Sequence, residues 1–409
     1  MTTSATISAT MNSNTELHSD LPIPPGDYLA EVLAEYALSQ AELARRMDRP
    51  AQAINEIIQG QKAITHETAL QLEQVLGVPA VIWLGLENEY QLTKARLAEA
   101  TSLAEETGLL VEIPYAAMAK LAWVPNVRQP RERVRNLCRF FGVSRLTALP
   151  GVHAYACAFR RADAPASQYA LAAWLRQGEI EARRIETGPF DKAKLRANLP
   201  AIRTLTREDP KQYLSQLTVL LASCGVALVI LPHLPKTHAH GAVFWLGDRA
   251  VLQLSIRGSY ADIFWFSLFH ELGHLLLHGK RTIVEGIVEG ATKAQAVGQT
   301  GGQGEDNDGY RRMERDADTF AQNALIPPND YGQLLRHGTL TAEHLTAFAA
   351  QQGIAVGIVV GRLQREKYIT YQQHHALRKR YAWTDDESSP PPLRRGRRAP
   401  SPDRRATRA

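Results

Sequence analysis

The feature that most constrains this chain is an apolar segment that carries three ionisable side chains at fixed spacing. Residues 264–278 read FWFSLFHELGHLLLH, and apolar residues occur on every side of the expected helix, which predicts a helix buried along its length. His270, Glu271 and His274 fall inside it. Burial of such groups is costly unless hydrogen bonds or a metal ion compensate them, so we interpret the segment as a site and not as an ordinary core helix.

The spacing His-Glu-x-x-His predicts a metal site. Positions i and i+4 of a helix share a face and lie about 6 Å apart along the axis, so His270 and His274 can reach one ion. Glu271, one residue further round, can contact water on that ion without being a ligand. This arrangement predicts one catalytic zinc ion, with Glu271 as the general base that accepts a proton from the attacking water.

A catalytic zinc site needs a third protein ligand and an open position. Glu314 is our candidate ligand, and Asp318, one helical turn later, would orient a ligand histidine from behind. Asp316 is the competing ligand, although it points to another side of the helix. The alternative explanation for Glu314, Asp316 and Asp318 together is a solvated helix start that is rich in acidic residues. His278 lies about 12 Å along the axis from His270, which favours a helix cap over a ligand.

The composition of the chain narrows the class of protein. Three cysteines without a C-x-x-C pair do not form a disulfide framework, and no apolar run approaches 18 residues. No secretory signal is recognised, so we expect a cytoplasmic protein with no membrane partner. The net charge of +5 comes from residues 388–409, which hold seven arginines and one aspartate.

The predicted fold class is α+β, with an all-α N-terminal domain of five short helices and a small sheet towards the C-terminus. Ser39 and Glu42 form a capping box that opens the second helix, and Thr65 caps the fourth helix. Pro50 and Pro79 open the third and the fifth helix. The predicted parts are a disordered N-terminus (1–23), a helical domain (24–97), a mainly helical intermediate region (98–224), a domain carrying the metal site (225–384) and a disordered basic tail (385–409).

Three short β-branched runs precede the histidine helix and predict strands, at Val226–Leu231, Ala242–Leu246 and Val251–Ile256. The last of them would present an edge to which an extended peptide substrate adds. Residues 281–309 hold seven glycines and predict a loop, and a further helix is expected near Gln372–Arg380.

The C-terminal half resembles the ImmA/IrrE family of metallo-endopeptidases. The resemblance is carried by FWFSLFHELGHLLLH (264–278), by ERDADTFAQNALIP (314–327) and by the preceding strands. It implies a zincin-like domain in which His270, His274 and Glu314 bind zinc beside the catalytic Glu271. Asp318 conforms to the family pattern, whereas Asp316 replaces a common Glu.

The N-terminal part, residues 24–87, resembles the helix-turn-helix of HigA-type antidote proteins and Xre-like repressors, with PPGDYLAEVLAEYALSQAELARRMDRPAQAINEIIQGQKAITHETALQLEQVLGVPAVIWLGLE. DNA is therefore an expected partner. Residues 27–97 hold ten acidic and six basic residues, so the net charge of this domain is a weak electrostatic fit to DNA. The alternative is a domain that only dimerises and so makes the protein a homodimer. The candidate base contacts on the exposed side of the third helix are Arg49, Gln52, Asn55 and Gln59, and the candidate phosphate contacts are Arg45, Arg46 and Lys62.

Two functions follow from these features. The first is a DNA-binding transcriptional regulator with a zinc-dependent endopeptidase domain that cleaves a protein partner or repressor. The second is a HigA-like antitoxin and repressor whose peptidase-like domain senses or binds without cutting. Glu271 favours the first, because a domain that does not cut has no chemical need for the base.

Overall fold

A computed structural model describes residues 21–152, 167–237, 239–256, 259–280, 282–286 and 304–381. The chain divides into two compact units, Met1–Thr107 and Gly108–Ala409. Most of the predicted disordered N-terminus and the whole basic tail lie outside the described residues.

The first unit is helical. Two side chains begin its helices as predicted: the Ser39 hydroxyl accepts a hydrogen bond from the Glu42 backbone amide, and the Thr65 hydroxyl accepts one from Thr68 (both 3.2 Å). Its core lies where the helices meet, and Trp83 is fully buried there. The last helix has 26 residues, so the prediction of a short fifth helix is wrong. The helices are α1 (Pro25–Glu35), α2 (Gln40–Arg46), α3 (Ala51–Ile58), α4 (His66–Leu76) and α5 (Ala80–Glu105).

The second unit begins with helices that lead to the sheet. Asp191 and Asp209 cap two of them by accepting hydrogen bonds from backbone amides. These helices are α6 (Tyr115–Lys120), α7 (Pro130–Phe141), α8 (Gln168–Ala182), α9 (Lys192–Thr204) and α10 (Pro210–Ser223).

Within the described ranges the sheet has four strands, β1 (Val226–Ile230), β2 (Ala239–Leu246), β3 (Arg249–Leu254) and β4 (Ile283–Gly286), in the order β1-β3-β2-β4. β1 pairs in parallel with β3, and β2 pairs antiparallel with both β3 and β4. The expectation that the strand over 251–256 offers a free edge is therefore wrong, because β1 and β2 occupy both of its sides.

The helices that follow the sheet carry the candidate site. The predicted loop over 281–309 is replaced at its ends by β4 and by the start of a helix at Gly304, while residues 287–303 lie outside the described ranges. The prediction of a helix near residues 372–380 is wrong, because turns and a short 3-10 helix, His375–Leu377, occupy that stretch. These helices are α11 (Ala261–Leu277), α12 (Gly304–Leu325), α13 (Pro328–His337), α14 (Ala342–Gln352) and α15 (Val356–Arg365).

One hydrophobic core contains residues of the sheet, of helices that precede the sheet in the sequence and of helices that follow it. Leu195 of α9 and Leu217 of α10 belong to the same buried cluster as Leu252 of β3 and Leu268 of α11. The boundary predicted at residue 224 therefore lies inside this cluster, and the helices before the sheet help to bury α11.

In the parts of the chain that the structure describes, no single helix combines the length and apolar composition of a membrane span. The helices α14 and α15 meet that test only when taken together, and they are bent by 115° at the break between them.

Candidate metal centre and candidate nucleic-acid interface

The helix α11 places the three ionisable side chains of its motif inside the protein. Apolar residues on every side of α11 draw it into the core, and His270, Glu271 and His274 are each at most 1% exposed. The Nε2 atoms of His270 and His274 lie 2.9 Å apart, as the i, i+4 spacing requires for two imidazoles that face one point.

Glu314 on α12 completes a group of three. One of its carboxylate oxygens lies 3.4 Å from His270 Nε2, and the other lies 3.6 Å from His274 Nε2. The three ligand atoms all lie within 4.8 Å of one another. Glu314 is therefore brought to the histidines across a segment of nearly 40 residues, as the predicted ligand set requires.

The separations within this group suit a small cation. Ligand atoms about 2.1 Å from a tetrahedral zinc ion are about 3.4 Å from each other. The two histidine-to-glutamate distances of 3.4 and 3.6 Å agree with that value, whereas the 2.9 Å between the two Nε2 atoms is about 0.5 Å shorter. Two imidazoles and one carboxylate are also a donor set that zinc prefers.

The electrostatics of His274 keep it available as a ligand. Burial, together with the neighbouring His270, lowers its pKa to about 3, although Glu314 acts in the opposite direction. At neutral pH the His274 ring is uncharged, so one nitrogen carries a lone pair.

Asp318 contacts His270 on the side of the ring that faces away from His274 and Glu314. Its Oδ1 lies 2.9 Å from His270 Nδ1, and its Oδ2 lies 3.4 Å from a guanidinium nitrogen of Arg365. Burial raises the pKa of Asp318, but the hydrogen bond from His270 and the charge of Arg365 outweigh it and lower that pKa overall. The carboxylate therefore stays charged and accepts from the ring, which puts the lone pair of the ring on His270 Nε2, the atom that faces His274 and Glu314.

The two alternatives for the third ligand lie elsewhere. Asp316 Oδ2 is 3.7 Å from His278 Nε2, and neither residue belongs to the group formed by Glu314 and the two histidines. His278 ends α11, as expected of a cap, but its side chain also contacts His274, with the two Nδ1 atoms 2.9 Å apart. The i, i+4 spacing of His274 and His278 is the sequence signal for this contact, which the prediction of a helix cap does not include.

Glu271 lies against a strand residue that sequence reasoning also missed. A Cβ atom added to Gly241 of β2 would overlap the Glu271 carboxylate. The β2–β4 pairing is irregular between Ala239 and Ala242, at the same place. A glycine inside a strand is the sequence signal of such a close approach, but it does not say which residue approaches.

The candidate nucleic-acid interface lies on α2 and α3. Ile54 and Ile57 of α3 point into the core, so Gln52, Asn55 and Gln59 are exposed along the other side of that helix and its end. The Gln52 and Gln59 side chains donate hydrogen bonds to Glu56 and Asn55 respectively. The three amides therefore form the surface that the prediction places against bases.

The cations of this interface are paired with carboxylates. Glu42 lies 2.7 Å from Arg45 and 3.1 Å from Arg46, and Lys62 lies 3.8 Å from Glu56. These pairs are exposed, so water and salt weaken them and the cations can exchange partners.

Arg49 does not lie on the exposed side of α3, and that part of the prediction is wrong. It precedes the helix, its side chain is only 19% exposed, and it binds Gln71 and Glu67 of α4. These two contacts hold the partly buried guanidinium against α4.

Comparison with known proteins identifies the first unit. The Helix-turn-helix family matches residues 29–83. The uncharacterized HTH-type transcriptional regulator YddM of Escherichia coli is 35% identical over 71 residues, which are 17% of this chain and 76% of that protein. Virulence-associated protein I of Dichelobacter nodosus is 38% identical over 74 residues, 18% of this chain and 68% of that protein.

Solved structures match the same part of the chain. The antitoxin HigA of Pseudomonas aeruginosa, solved with the higBA promoter, is 33% identical with a TM-score of 0.20, over 21% of this chain and 95% of that one. PA4674 of the same organism, solved with its operator DNA, is 35% identical with a TM-score of 0.19, over 19% of this chain and 85% of that one. The family match confirms the predicted helix-turn-helix, and through this domain the chain belongs to the helix-turn-helix family of transcriptional regulators.

Proposed function

We propose that this protein is a DNA-binding transcriptional regulator with a zinc-dependent endopeptidase site that cleaves a protein partner or repressor. The observation that carries the enzymatic half is the meeting of His270, His274 and Glu314 beside a fully buried Glu271. This arrangement fits the zincin-like, ImmA/IrrE-type domain that the sequence resembles.

Each residue of the proposed site has a separate role in the reaction. His270, His274 and Glu314 would hold the metal, and bound zinc supplies Lewis acidity that polarises a peptide carbonyl and lowers the pKa of water. Glu271 takes the proton of the attacking water and passes it to the leaving amine. Asp318 keeps the His270 ring in one orientation and one tautomer.

A site of two histidines and one glutamate differs from a structural zinc site. Structural sites are closed by four protein ligands, whereas catalytic sites use three and leave a position open. Among the described residues the group contains three side chains that could bind one ion. Burial of the Glu271 carboxylate next to them costs free energy. A role as the proton acceptor in catalysis explains why a carboxylate lies at this position.

The DNA-binding half uses α3 to read bases. Gln52, Asn55 and Gln59 present amide groups that can donate to and accept from adenine, and Arg45, Arg46 and Lys62 supply positive charge for phosphates. Membership of the helix-turn-helix family supports this assignment. DNA has to displace the carboxylates that these cations now contact.

The alternative function is a HigA-like antitoxin and repressor in which the second unit binds or senses without cutting. One observation favours it: this chain covers 76% of a relative named as an HTH-type transcriptional regulator, and regulation by DNA binding needs no cleavage. The two functions share the metal site and differ in the need for Glu271.

Zinc analysis of the full-length protein, combined with Glu271→Gln, tests the proposal. We expect about one zinc ion per chain in the wild type and in the variant, because Glu271 is not a ligand. Cleavage products, detected by labelling new amino termini in a cell extract, should fall by a factor of about 10² to 10⁴ in the variant. Absence of zinc from the wild type, or cleavage that survives the substitution, refutes the endopeptidase; zinc without any cleavage supports the alternative.

A further inference from the structure

His278 lies directly behind the second metal-site histidine. Its Nδ1 atom is 2.9 Å from His274 Nδ1, and the two ring centroids are 5.1 Å apart. The His278 side chain is only 8% exposed, so solvent does not readily replace this contact. On its other side, His278 Nε2 lies 3.7 Å from Oδ2 of Asp316 on α12.

We propose that His278, supported by Asp316, is the positioning residue for His274. In this role it accepts a hydrogen bond from His274 Nδ1–H and so directs the His274 Nε2 lone pair towards the metal. The inference rests on the proposed zinc site and extends it to two residues that bind neither metal nor substrate.

The protons on these rings follow from the contacts. A neutral imidazole has one donor nitrogen and one acceptor nitrogen. His274 Nε2 faces His270 and Glu314, so as a ligand it carries the lone pair and the proton lies on Nδ1. The Nδ1 atom of His278 must then accept, which places the His278 proton on Nε2, the atom nearest Asp316.

The two ligand histidines are therefore supported by different chemistry. His270 donates to the carboxylate of Asp318 at 2.9 Å, and His274 donates to a neutral ring at the same distance. A carboxylate raises the basicity of the ring more than an imidazole does, so His270 becomes the stronger ligand and His274 mainly gains a fixed orientation.

Helix capping does not explain the His278 side chain. α11 ends there through the backbone hydrogen bond from His278 N to His274 O (3.0 Å), and Gly279 follows with a positive φ of 70°. Neither feature needs an imidazole. A substitution at this position can therefore keep the helix end while it removes the contact with His274.

Zinc affinity of the full-length chain tests the inference through His278→Leu and His278→Asn. Leu fills part of the space but cannot accept a hydrogen bond, whereas the Asn oxygen can. We expect His278→Leu to raise the zinc Kd by about 10- to 100-fold, measured by competition with a chromophoric chelator. His278→Asn should restore most of the affinity, and Asp316→Asn should weaken it less than His278→Leu.

Bound Co²⁺ gives a second readout, because its visible absorption reports the ligand field and not only the stability of the fold. We expect His278→Leu to change this spectrum and His278→Asn to restore it. Wild-type affinity in His278→Leu, or equal weakness in the Leu and Asn variants, overturns the role of His278. Wild-type affinity in Asp316→Asn removes Asp316 from the proposal.

Asp318→Asn separates this inference from the proposed function. If Asp318→Asn weakens zinc binding and His278→Leu does not, only the inference fails. If the wild type binds no zinc, the proposed metal site itself fails. Thermal melts of the zinc-free variants show whether each one folds.

Discussion

The approach of α12 to α11 depends on Gly273, the residue just before the second ligand histidine. A Cβ atom added there would lie 3.0 Å from Phe320 Cδ1 and 3.2 Å from Ala317 Cα. Carbon atoms in ordinary contact are about 3.5 to 4.0 Å apart, so Gly273→Ala creates a shortfall of roughly 0.3 to 0.5 Å. The Phe320 ring can turn, but Ala317 contributes backbone, so α12 itself has to move.

This movement reaches the metal site because Glu314 lies one helical turn before Ala317 on α12. Metal ligands tolerate errors of only about 0.2 Å, so we expect Gly273→Ala to raise the zinc Kd by about tenfold or more. Overpacking should also lower the free energy of unfolding by about 1 to 3 kcal/mol. Chelator competition measures the first quantity, and urea denaturation of the zinc-free protein measures the second.

Gly188→Ala is the matched control, because a Cβ atom there meets nothing within 4 Å. It should leave both quantities near their wild-type values. Wild-type zinc affinity in Gly273→Ala would refute the reasoning, whatever happens to stability, because it would show that the helix spacing does not fix the position of Glu314.

Three further predictions concern other parts of the chain. Gly241→Ala should retain zinc but lose cleavage, because the added methyl group displaces the Glu271 carboxylate. Glu42→Gln should tighten binding to a mixed-sequence DNA duplex by about two- to tenfold, because it releases both arginine partners of Glu42 and removes a charge that repels phosphate. Glu179→Gln should lower the free energy of unfolding at pH 7 by about 1 to 2 kcal/mol.

The Glu179 prediction has a defined pH dependence. Burial opposes ionisation, but hydrogen bonds from Arg183 and Arg176 prevail and lower the pKa of Glu179 below its ordinary value of 4.5. The stabilisation is therefore present above pH 4.5 and disappears as the pH falls through the lowered pKa. Urea denaturation should show the difference between wild type and variant shrinking in acid; a constant difference contradicts the ion-pair explanation.

Controls for the other two predictions use the same assays. Loss of zinc from Gly241→Ala would mean that the substitution disturbs the whole site and not only Glu271. For Glu42→Gln, the gain in DNA affinity should shrink as salt rises, and a gain that is independent of salt contradicts an electrostatic cause.

The arrangement of the side chains in the candidate site is largely predictable because its signals are local. The spacing of His270, Glu271 and His274 on one helix fixes their relative positions, and the four-residue step from Glu314 to Asp318 places both on one side of α12. Capping residues such as Ser39 act within one turn, so their effect is readable from adjacent sequence.

Contacts between distant segments were less predictable. The short apolar run of β3 does not reveal that β1 pairs beside it, so the sequence predicts an edge where the sheet has an interior strand. Arg49 looked exposed because its partners, Glu67 and Gln71, lie on another helix. The strand glycine Gly241 signals a close approach, but only the folded chain shows that Glu271 is the neighbour.

Because α11 is buried along most of its length, a metal ion bound at the proposed site would couple its binding to folding. The side chains that would hold zinc are surrounded by the same core that joins α9, α10 and the sheet. An ion that binds only the folded chain stabilises it by RT ln(1 + [Zn]/Kd), about 2.7 kcal/mol at a hundredfold excess over Kd. Zinc bound at the proposed site would therefore add this amount to the free energy of unfolding of the second unit.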